Sequence, residues 1–143
     1  MKRLLCAVLV LILLPVLAVA SDFEEFNLYA SVLGANELDP EKSRSSDVYT
    51  QYEQDGCSVG FEMKDGSVSS VFIDGDGVSF LAYCCAALHI FDPDGSATSN
   101  HGQLLTAYLL SKNADEYSAG QTTNGKYFFV TYADGQYSFM AVK

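Results

Sequence analysis

Basic residues are scarce in this chain of 143 residues. Eight Lys and Arg stand against 18 Asp and Glu, which gives a formal net charge of −10. Proteins that bind nucleic acid or anionic membranes need Lys and Arg to contact phosphate groups, so this balance argues against both partners. An acidic surface favours solubility, and it also suits a cationic partner.

The short motifs of common enzyme classes are missing as well. The sequence contains no phosphate-binding loop, no zinc-binding cysteine knuckle and no hydrolase nucleophile elbow. Cys85 and His89 lie four positions apart on a predicted helix, where their side chains could meet and act as a nucleophile or metal ligands. With Asp92 and Asp94 they define an alternative interpretation, a small extracellular enzyme or metal-binding protein. The main expectation is a protein with no catalytic residues, no cofactor and no metal site.

The acidic loop after this helix matches a calcium-binding loop only in part. Oxygen donors occur at alternate positions from Asp92 to Asn100. Ala97, however, occupies the position that needs glycine, and Gln103 replaces the final bidentate Glu. The loop is therefore predicted to end one helix and begin the next, without binding calcium.

The first twenty residues have the composition of a signal peptide. Lys2 and Arg3 precede a long apolar run, and Ala18-Val19-Ala20 fits a small-residue cleavage site before Ser21. The apolar run is slightly short for a membrane-spanning helix of about 20 residues, and an uncleaved anchor is the alternative. We expect cleavage, export to the extracellular space or cell envelope, and no stable membrane insertion afterwards.

Cleavage would leave three cysteines, Cys57, Cys84 and Cys85. An odd number in an exported chain leaves at least one thiol unpaired unless two molecules are joined. Adjacent cysteines bridge each other only with strain, so a disulfide between Cys57 and either Cys84 or Cys85 is the pairing to expect. The alternative is three small buried thiols.

A strand-and-turn pattern occurs twice in the chain, with the second copy 69 residues after the first. Asp55-Gly56 corresponds to Asn124-Gly125, and Asp65-Gly66 corresponds to Asp134-Gly135. Asn-Gly and Asp-Gly accept the positive φ that a type I′ turn requires, and between alternating apolar residues they predict a β-hairpin. Each copy is therefore predicted to be a meander of three antiparallel strands joined by two-residue turns.

Apolar residues at helical spacing predict three helices around these meanders. The first covers Ser21–Leu38 and stops before the next proline, unless Gly34 ends it earlier. The second is capped by Ser79 and continues to about Phe91. The third is capped by Asn100, and its buried side carries Leu104, Leu105, Tyr108 and Leu109.

These elements predict an α+β fold in the order α-βββ-α-α-βββ, with the helices packed on one face of the sheet. The predicted organisation is a signal peptide, 1–20, and one domain, 21–143, with an internal duplication into units of about 21–77 and 78–143. The six strands could form one sheet or two packed halves. At the level of architecture this plan resembles tandem-repeat secreted inhibitors such as the beta-lactamase inhibitory proteins. No motif residue carries that resemblance, and fold does not imply function.

The turns also predict which side chains share a face of the sheet. The inner face of the first meander should carry Val48, Thr50, Tyr52, Cys57, Val59, Phe61, Met63, Val68 and Phe72, and its outer face should be polar. The inner face of the second meander should carry Tyr117, Ala119, Phe128, Val130, Tyr132, Tyr137 and Phe139.

The outer face of the second meander is predicted to be apolar, unlike that of the first. Tyr127 and Phe129 should lie there, across from Val142 and Met140. Because exposed apolar patches mark partner sites, these four residues are the candidate binding residues. The alternatives are that the first helix or a dimer partner covers them, or that they meet another subunit of an assembly. The sequence thus predicts a secreted, non-catalytic binding module that recognises a protein or peptide.

Overall fold

The computed structural model describes residues 22–114 and 117–143. The predicted signal peptide lies outside the described residues. Helix α1 covers 22–32. After a short 3-10 helix at Pro40–Lys42 the strands and helices are β1 (Ser43–Ser45), β2 (Tyr49–Gln54), β3 (Cys57–Lys64), β4 (Ser67–Gly75), α2 (Gly77–Phe91), α3 (Ala97–Ser111), β5 (Ser118–Gln121), β6 (Tyr127–Ala133) and β7 (Gln136–Val142).

The described residues form one antiparallel sheet of seven strands, in the order β1-β2-β3-β4-β7-β6-β5. The predicted α+β class is therefore confirmed. The two meanders join where β4 pairs with β7. The free edge of the last strand of each meander is therefore hydrogen-bonded to the last strand of the other meander. The sheet ends at β1 and β5, which are three and four residues long. Such short edge strands offer little backbone for further pairing.

Three of the four predicted turns are two-residue turns with left-handed φ at both positions. At Asp134-Gly135, for example, φ is +53° and +85°, and the resulting register places Phe129 opposite Met140 as predicted. The turn predicted at Asn124-Gly125 is wrong. The N–H of Thr122 donates to the carbonyl of Lys126 at 2.8 Å, so the loop contains three residues.

The extra loop residue moves β5 by one position against β6. Ala119 now lies opposite Phe129, and Tyr117 packs edge-on against the Phe129 ring, with ring centroids 5.5 Å apart. Because successive strand residues point to opposite faces, a shift of one residue exchanges the faces. Tyr117 and Ala119 therefore lie on the outer face, and their predicted inner position is wrong.

A β-bulge changes the faces of β4 in the same way. The register between β3 and β4 shifts between Glu62 and Met63, and a bulge adds one unpaired residue to a strand. Beyond the bulge, Val71 and Ile73 are fully buried. Phe72, predicted on the inner face, therefore points outward, where it lies opposite Met140.

The helix ends agree with their predicted positions only in part. Helix α1 ends before Gly34, whose φ is +96°. The N–H of Ala35 donates to Ala30 and that of Gly34 to Ser31, each at 3.1 Å. This is the hydrogen-bond pattern of a Schellman motif, which terminates a helix at a left-handed glycine. The helix therefore ends at Gly34, the earlier of its two predicted ends, and does not extend to Leu38.

The other two helices begin earlier than predicted. Asp76, and not Ser79, caps α2, and its side chain accepts from the N–H of Gly77. Ser96, and not Asn100, caps α3. Asn100 lies inside the helix and is buried, because its side chain is bonded to groups in the core.

All three helices pack on the inner face of the sheet. In α1, Phe26 meets the edge of Phe61 of β3 at 5.0 Å and stacks on Tyr83 of α2 at 6.0 Å. Helix α2 has nine buried residues against four in α3, so α2 occupies the centre of the layer. Helix α3 covers the second meander, where Tyr108 stacks on Tyr137 at 4.0 Å. None of the described helices combines the length and apolarity needed to cross a bilayer.

The buried stripe of α3 also differs from the prediction. Leu104 is buried, but Leu105 and Leu109 are 49% and 61% exposed. The buried residues of α3 are Asn100, Leu104, Ala107 and Ser111, and Tyr108 is partly buried against the core, on the side predicted for it. Because Asn100 is hydrogen-bonded in the interior, the helix is rotated so that Leu105 and Leu109 face solvent.

Candidate functional site

The face of the sheet opposite the helices carries an open apolar groove of about 490 Å³. Cross-strand pairing aligns side chains in rows. One row runs across four strands, from Gly60 through Phe72 and Met140 to Phe129. The apolar lining comes mainly from Phe72, Tyr117, Phe129 and Met140, and one end is lined by Asp74, Thr131 and Ser138. This depression is termed the outer groove.

A glycine extends the aromatic surface into the first meander. A Cβ atom on Gly60 would collide with the hydroxyl end of Tyr49, so the absence of a side chain lets the Tyr49 ring lie across β3. The Tyr49 and Phe72 ring centroids are 6.5 Å apart. The outer face of the first meander, predicted to be polar, therefore carries two aromatic rings beside the groove.

The structure places all four predicted binding residues on the outer face, in two neighbouring rows. Phe129 and Met140 are half-buried and line the groove. Tyr127 and Val142 lie one row away and are 59% and 43% exposed. Within residues 22–114 and 117–143 the helices lie on the other face, so α1 does not cover this patch as the alternative interpretation required.

The groove residues that sequence reasoning missed are Phe72, Asp74, Tyr117, Thr131 and Ser138. The outward position of Phe72 and Asp74 depends on the bulge in β4, and that of Tyr117 depends on the longer β5–β6 loop. One pattern could have revealed the bulge. Val68 is followed by apolar residues at Val71 and Ile73, and the three-residue step between Val68 and Val71 breaks the strand period of two.

The polar end of the groove is acidic. Asp74 lies opposite Ser138, whose hydroxyl donates to one carboxylate oxygen of Asp74. On the other side of the aromatic row, the Ser70 hydroxyl donates to Glu62 at 3.0 Å. Burial raises the pKa of Tyr49, and the charges of Asp74 and Glu53 raise it further. Asp74 and Glu62 thus lie on opposite sides of the aromatic row.

The alternative site of Cys85, His89, Asp92 and Asp94 is not assembled. The first three line a crevice of only about 10 Å³, which has room for about one water molecule at most. Asp94 is exposed and does not line it. Burial raises the pKa of the Cys85 thiol to about 12, so the thiolate needed for nucleophilic attack is scarce at neutral pH.

His89 is engaged in contacts between helices. Its Nε2 atom lies 2.9 Å from Oε1 of Glu25 on α1, and its ring stacks on Tyr29 with centroids 4.2 Å apart. The Tyr29 hydroxyl also lies 3.2 Å from Nε2 of His101 on α3. These contacts hold α1 against α2 and α3.

Asp92 is a buried hydrogen-bond acceptor at the end of α2. Its carboxylate accepts from the side-chain amides of Asn100 at 3.1 Å and Asn124 at 2.6 Å. Burial raises the pKa of Asp92, but these hydrogen bonds outweigh that effect and hold the pKa below its ordinary value. The carboxylate therefore joins α2, α3 and the β5–β6 loop. Among the described residues, no three His, Cys, Asp or Glu side chains are placed to hold a metal ion.

The three cysteines among the described residues are free thiols, so the possible bridge between Cys57 and Cys84 is not formed in the structure. Both residues are almost completely buried. Burial raises the pKa of both thiols, which keeps them protonated. They pack as small apolar side chains, which was the alternative to a disulfide.

Comparison of the chain with protein-family models, with curated protein sequences and with solved structures gave no match. The architectural resemblance to tandem-repeat inhibitors gains no support from these comparisons.

Proposed function

We propose that this protein is a secreted, non-catalytic binding module that recognises a protein or peptide partner through the outer groove. The observation that carries the proposal is an open aromatic groove on the face that the described helices leave uncovered. Burying apolar surface is favourable by about 25 cal/mol per Å². A partner that fills this groove would therefore be bound favourably, because it buries the apolar surface of Phe72, Phe129 and Met140.

The side chains of the groove are those that other proteins use at the centres of interfaces. Phe, Tyr and Met are enriched there, whereas charged residues are depleted. The groove follows the same plan, with Phe129 and Met140 half-buried in its lining and with Tyr117 and Tyr127 exposed. Phe129 is the expected centre of binding energy, because its ring packs edge-on against Tyr117 and it lies opposite Met140 on β7.

The proposal includes export of the chain after cleavage before Ser21. The basic residues Lys2 and Arg3, the apolar run and Ala18-Val19-Ala20 support it. It also includes the origin of the two meanders, in units of about 21–77 and 78–143, by internal duplication. The equivalent Asp-Gly turns at Asp65 and Asp134 support that origin, since both adopt left-handed φ.

The test is affinity capture from culture supernatant or cell envelope with the mature chain as bait, followed by reconstitution of the complex from purified components. The groove variant carries Tyr127→Ala and Phe129→Ala. The matched control carries Leu105→Ala and Leu109→Ala, which remove exposed apolar side chains from the opposite face. The groove variant should weaken the complex about a hundredfold, since truncating a central interface residue typically costs about 2 kcal/mol or more, and the control should not weaken it.

Several outcomes would reject the proposal. A partner that binds the groove variant as tightly as the unmodified chain would use another surface. If the unmodified chain captures no protein in larger amount than the groove variant does, the groove binds no partner. If the groove variant does not fold, as judged by circular dichroism, the patch belongs to the core.

A further inference from the structure

We propose that the partner segment bound in the outer groove carries an arginine or lysine side chain beside an apolar one, and that Asp74 selects the cationic group. This inference rests on the proposed function and adds the chemistry of the partner.

The carboxylates flank the aromatic row at a regular spacing. Asp74 lies two residues from Phe72 along β4, and Glu62 lies two residues from Gly60 along β3 in the opposite direction. At about 3.3 Å per residue, each carboxylate is roughly 6.6 Å along the strand from the row. An extended peptide repeats its side chains on one face at the same interval. A segment with the pattern basic–x–apolar–x–basic therefore matches the groove.

Asp74 is positioned to accept an additional donor. Its side chain is exposed, and Ser138 donates to its Oδ1 atom. No donor among the described residues bonds to its Oδ2 atom. Ser138 thus fixes the direction of the carboxylate while leaving one oxygen for a guanidinium or ammonium group. The neighbouring rings of Phe72 and Tyr49 can also face such a cation, which aromatic rings attract electrostatically.

The charge of the outer face favours a cationic segment over a second copy of this chain. The strand residues on this face include three carboxylates, on Glu53, Glu62 and Asp74, and two basic residues, Arg44 and Lys64. Arg44 stands on the edge strand β1, three strand spacings or about 14 Å from Phe72. The lysine lies four residues from Gly60 along β3, about 13 Å from the aromatic row. Two copies packed face to face would bring carboxylates together in an apolar contact, and burying unpaired charge is costly. A cationic partner supplies the missing opposite charge.

The test titrates the isotope-labelled mature chain with three synthetic peptides and follows the amide signals of the groove by NMR. The first has the sequence Gly-Arg-Ser-Phe-Ser-Arg-Gly, and the other two replace both arginines by glutamine or by glutamate. The arginine peptide should bind about tenfold more tightly than the glutamine peptide, the effect of one charge-assisted hydrogen bond. Its affinity should also fall between about 50 mM and about 300 mM NaCl, because exposed charges are screened.

Two charge variants identify the selecting residue. Asp74→Asn should bring the affinity for the arginine peptide down to that for the glutamine peptide. Glu37→Gln removes the same charge from an exposed loop after α1 and should leave the preference for arginine unchanged. Phe129→Ala should weaken the arginine and glutamine peptides alike.

The outcomes separate this inference from the proposed function. Equal binding of the arginine and glutamine peptides, or an unchanged preference in Asp74→Asn, overturns the cationic inference. If that binding still depends on Phe129, the groove remains a peptide site. If no peptide shifts the groove signals, the cationic inference is overturned as well, and the proposed function is then decided by the captured partner.

Discussion

Phe72 and Met140 lie opposite each other across β4 and β7. This pair stands at the seam between the two meanders and at the centre of the outer groove. The contact that makes the sheet continuous is therefore also the contact that builds the candidate binding surface. Each meander supplies one half of the surface, and neither half holds the groove alone.

Phe128 and Phe129 provide a test of the two faces of β6 by adjacent substitutions. Phe128 is fully buried, so Phe128→Ala should lower the free energy of unfolding by about 3–5 kcal/mol. Phe129 is half-buried on the outer face, and Phe129→Ala should lower it by about 1–2 kcal/mol. Urea unfolding of both variants measures the difference. Equal losses would mean that Phe129 is also part of the core.

Asp92 should make stability depend on acid pH. Its pKa is lowered in the folded protein, so its contribution is present above the ordinary Asp pKa and is lost as pH falls through the folded value. Asp92→Ala leaves the buried amides of Asn100 and Asn124 without their acceptor and should cost about 3 kcal/mol at neutral pH.

The control for Asp92 is its exposed neighbour Asp94. Asp94→Ala should change the unfolding free energy by less than about 0.5 kcal/mol. Measuring unfolding at about pH 7 and about pH 3 should show a smaller loss of stability on acidification in Asp92→Ala than in the unmodified chain. An unchanged acid dependence would contradict the structural role assigned to Asp92.

His101 should produce a second, milder pH dependence. Burial, and then the nearby His89, lower the pKa of His101 in the folded protein. The unfolded chain takes up this proton near the ordinary pKa of about 6.5, while the folded protein does not. Stability should therefore fall as pH drops below about 6.5, until the folded pKa is reached. The thermal midpoint of His101→Gln should change less between about pH 7 and about pH 5 than that of the unmodified chain. Equal changes in the two proteins would refute this role of His101.

The thiols can be checked by mass and by alkylation rate. Because burial raises the pKa of Cys85 to about 12, and Cys57 and Cys84 are buried, the folded protein should react slowly with iodoacetamide. All three thiols should react once the chain is unfolded without reductant. A mature chain lighter by two hydrogen atoms, with only one reactive thiol, would instead establish a disulfide such as Cys57 with Cys84.

The parts of the fold predicted from the sequence are those encoded by local turns. Asp134-Gly135 adopts the predicted two-residue turn, and that turn is sufficient to place Phe129 opposite Met140 and on the outer face. The same reasoning failed at Asn124-Gly125. There the side chain of Asn124 donates to Asp92, a residue 32 positions earlier, and the loop takes the longer form that permits this bond.

The remaining errors also arise from contacts between distant residues. The rotation of α3 depends on the hydrogen bond from Asn100 to Asp92. This rotation exposes Leu105 and Leu109, although their apolar spacing predicts that they are buried. The pairing of β4 with β7 joins segments about 70 residues apart, and no nearby residue specifies it. The groove combines this β4–β7 pairing with the bulge in β4 and the longer β5–β6 loop, so only its Phe129 side could be predicted.

The β4–β7 seam has a consequence for the first meander taken alone. Cut from the chain after Gly75, it would present a nine-residue strand with one side of its backbone unsatisfied and Val71 and Ile73 beneath it. Such a strand is a template for any extended chain it meets, including other copies of itself. Because both meanders belong to one polypeptide, β7 is present at a high local concentration beside β4. The free edge of β4 is therefore paired within the chain before other copies can add to it and aggregate.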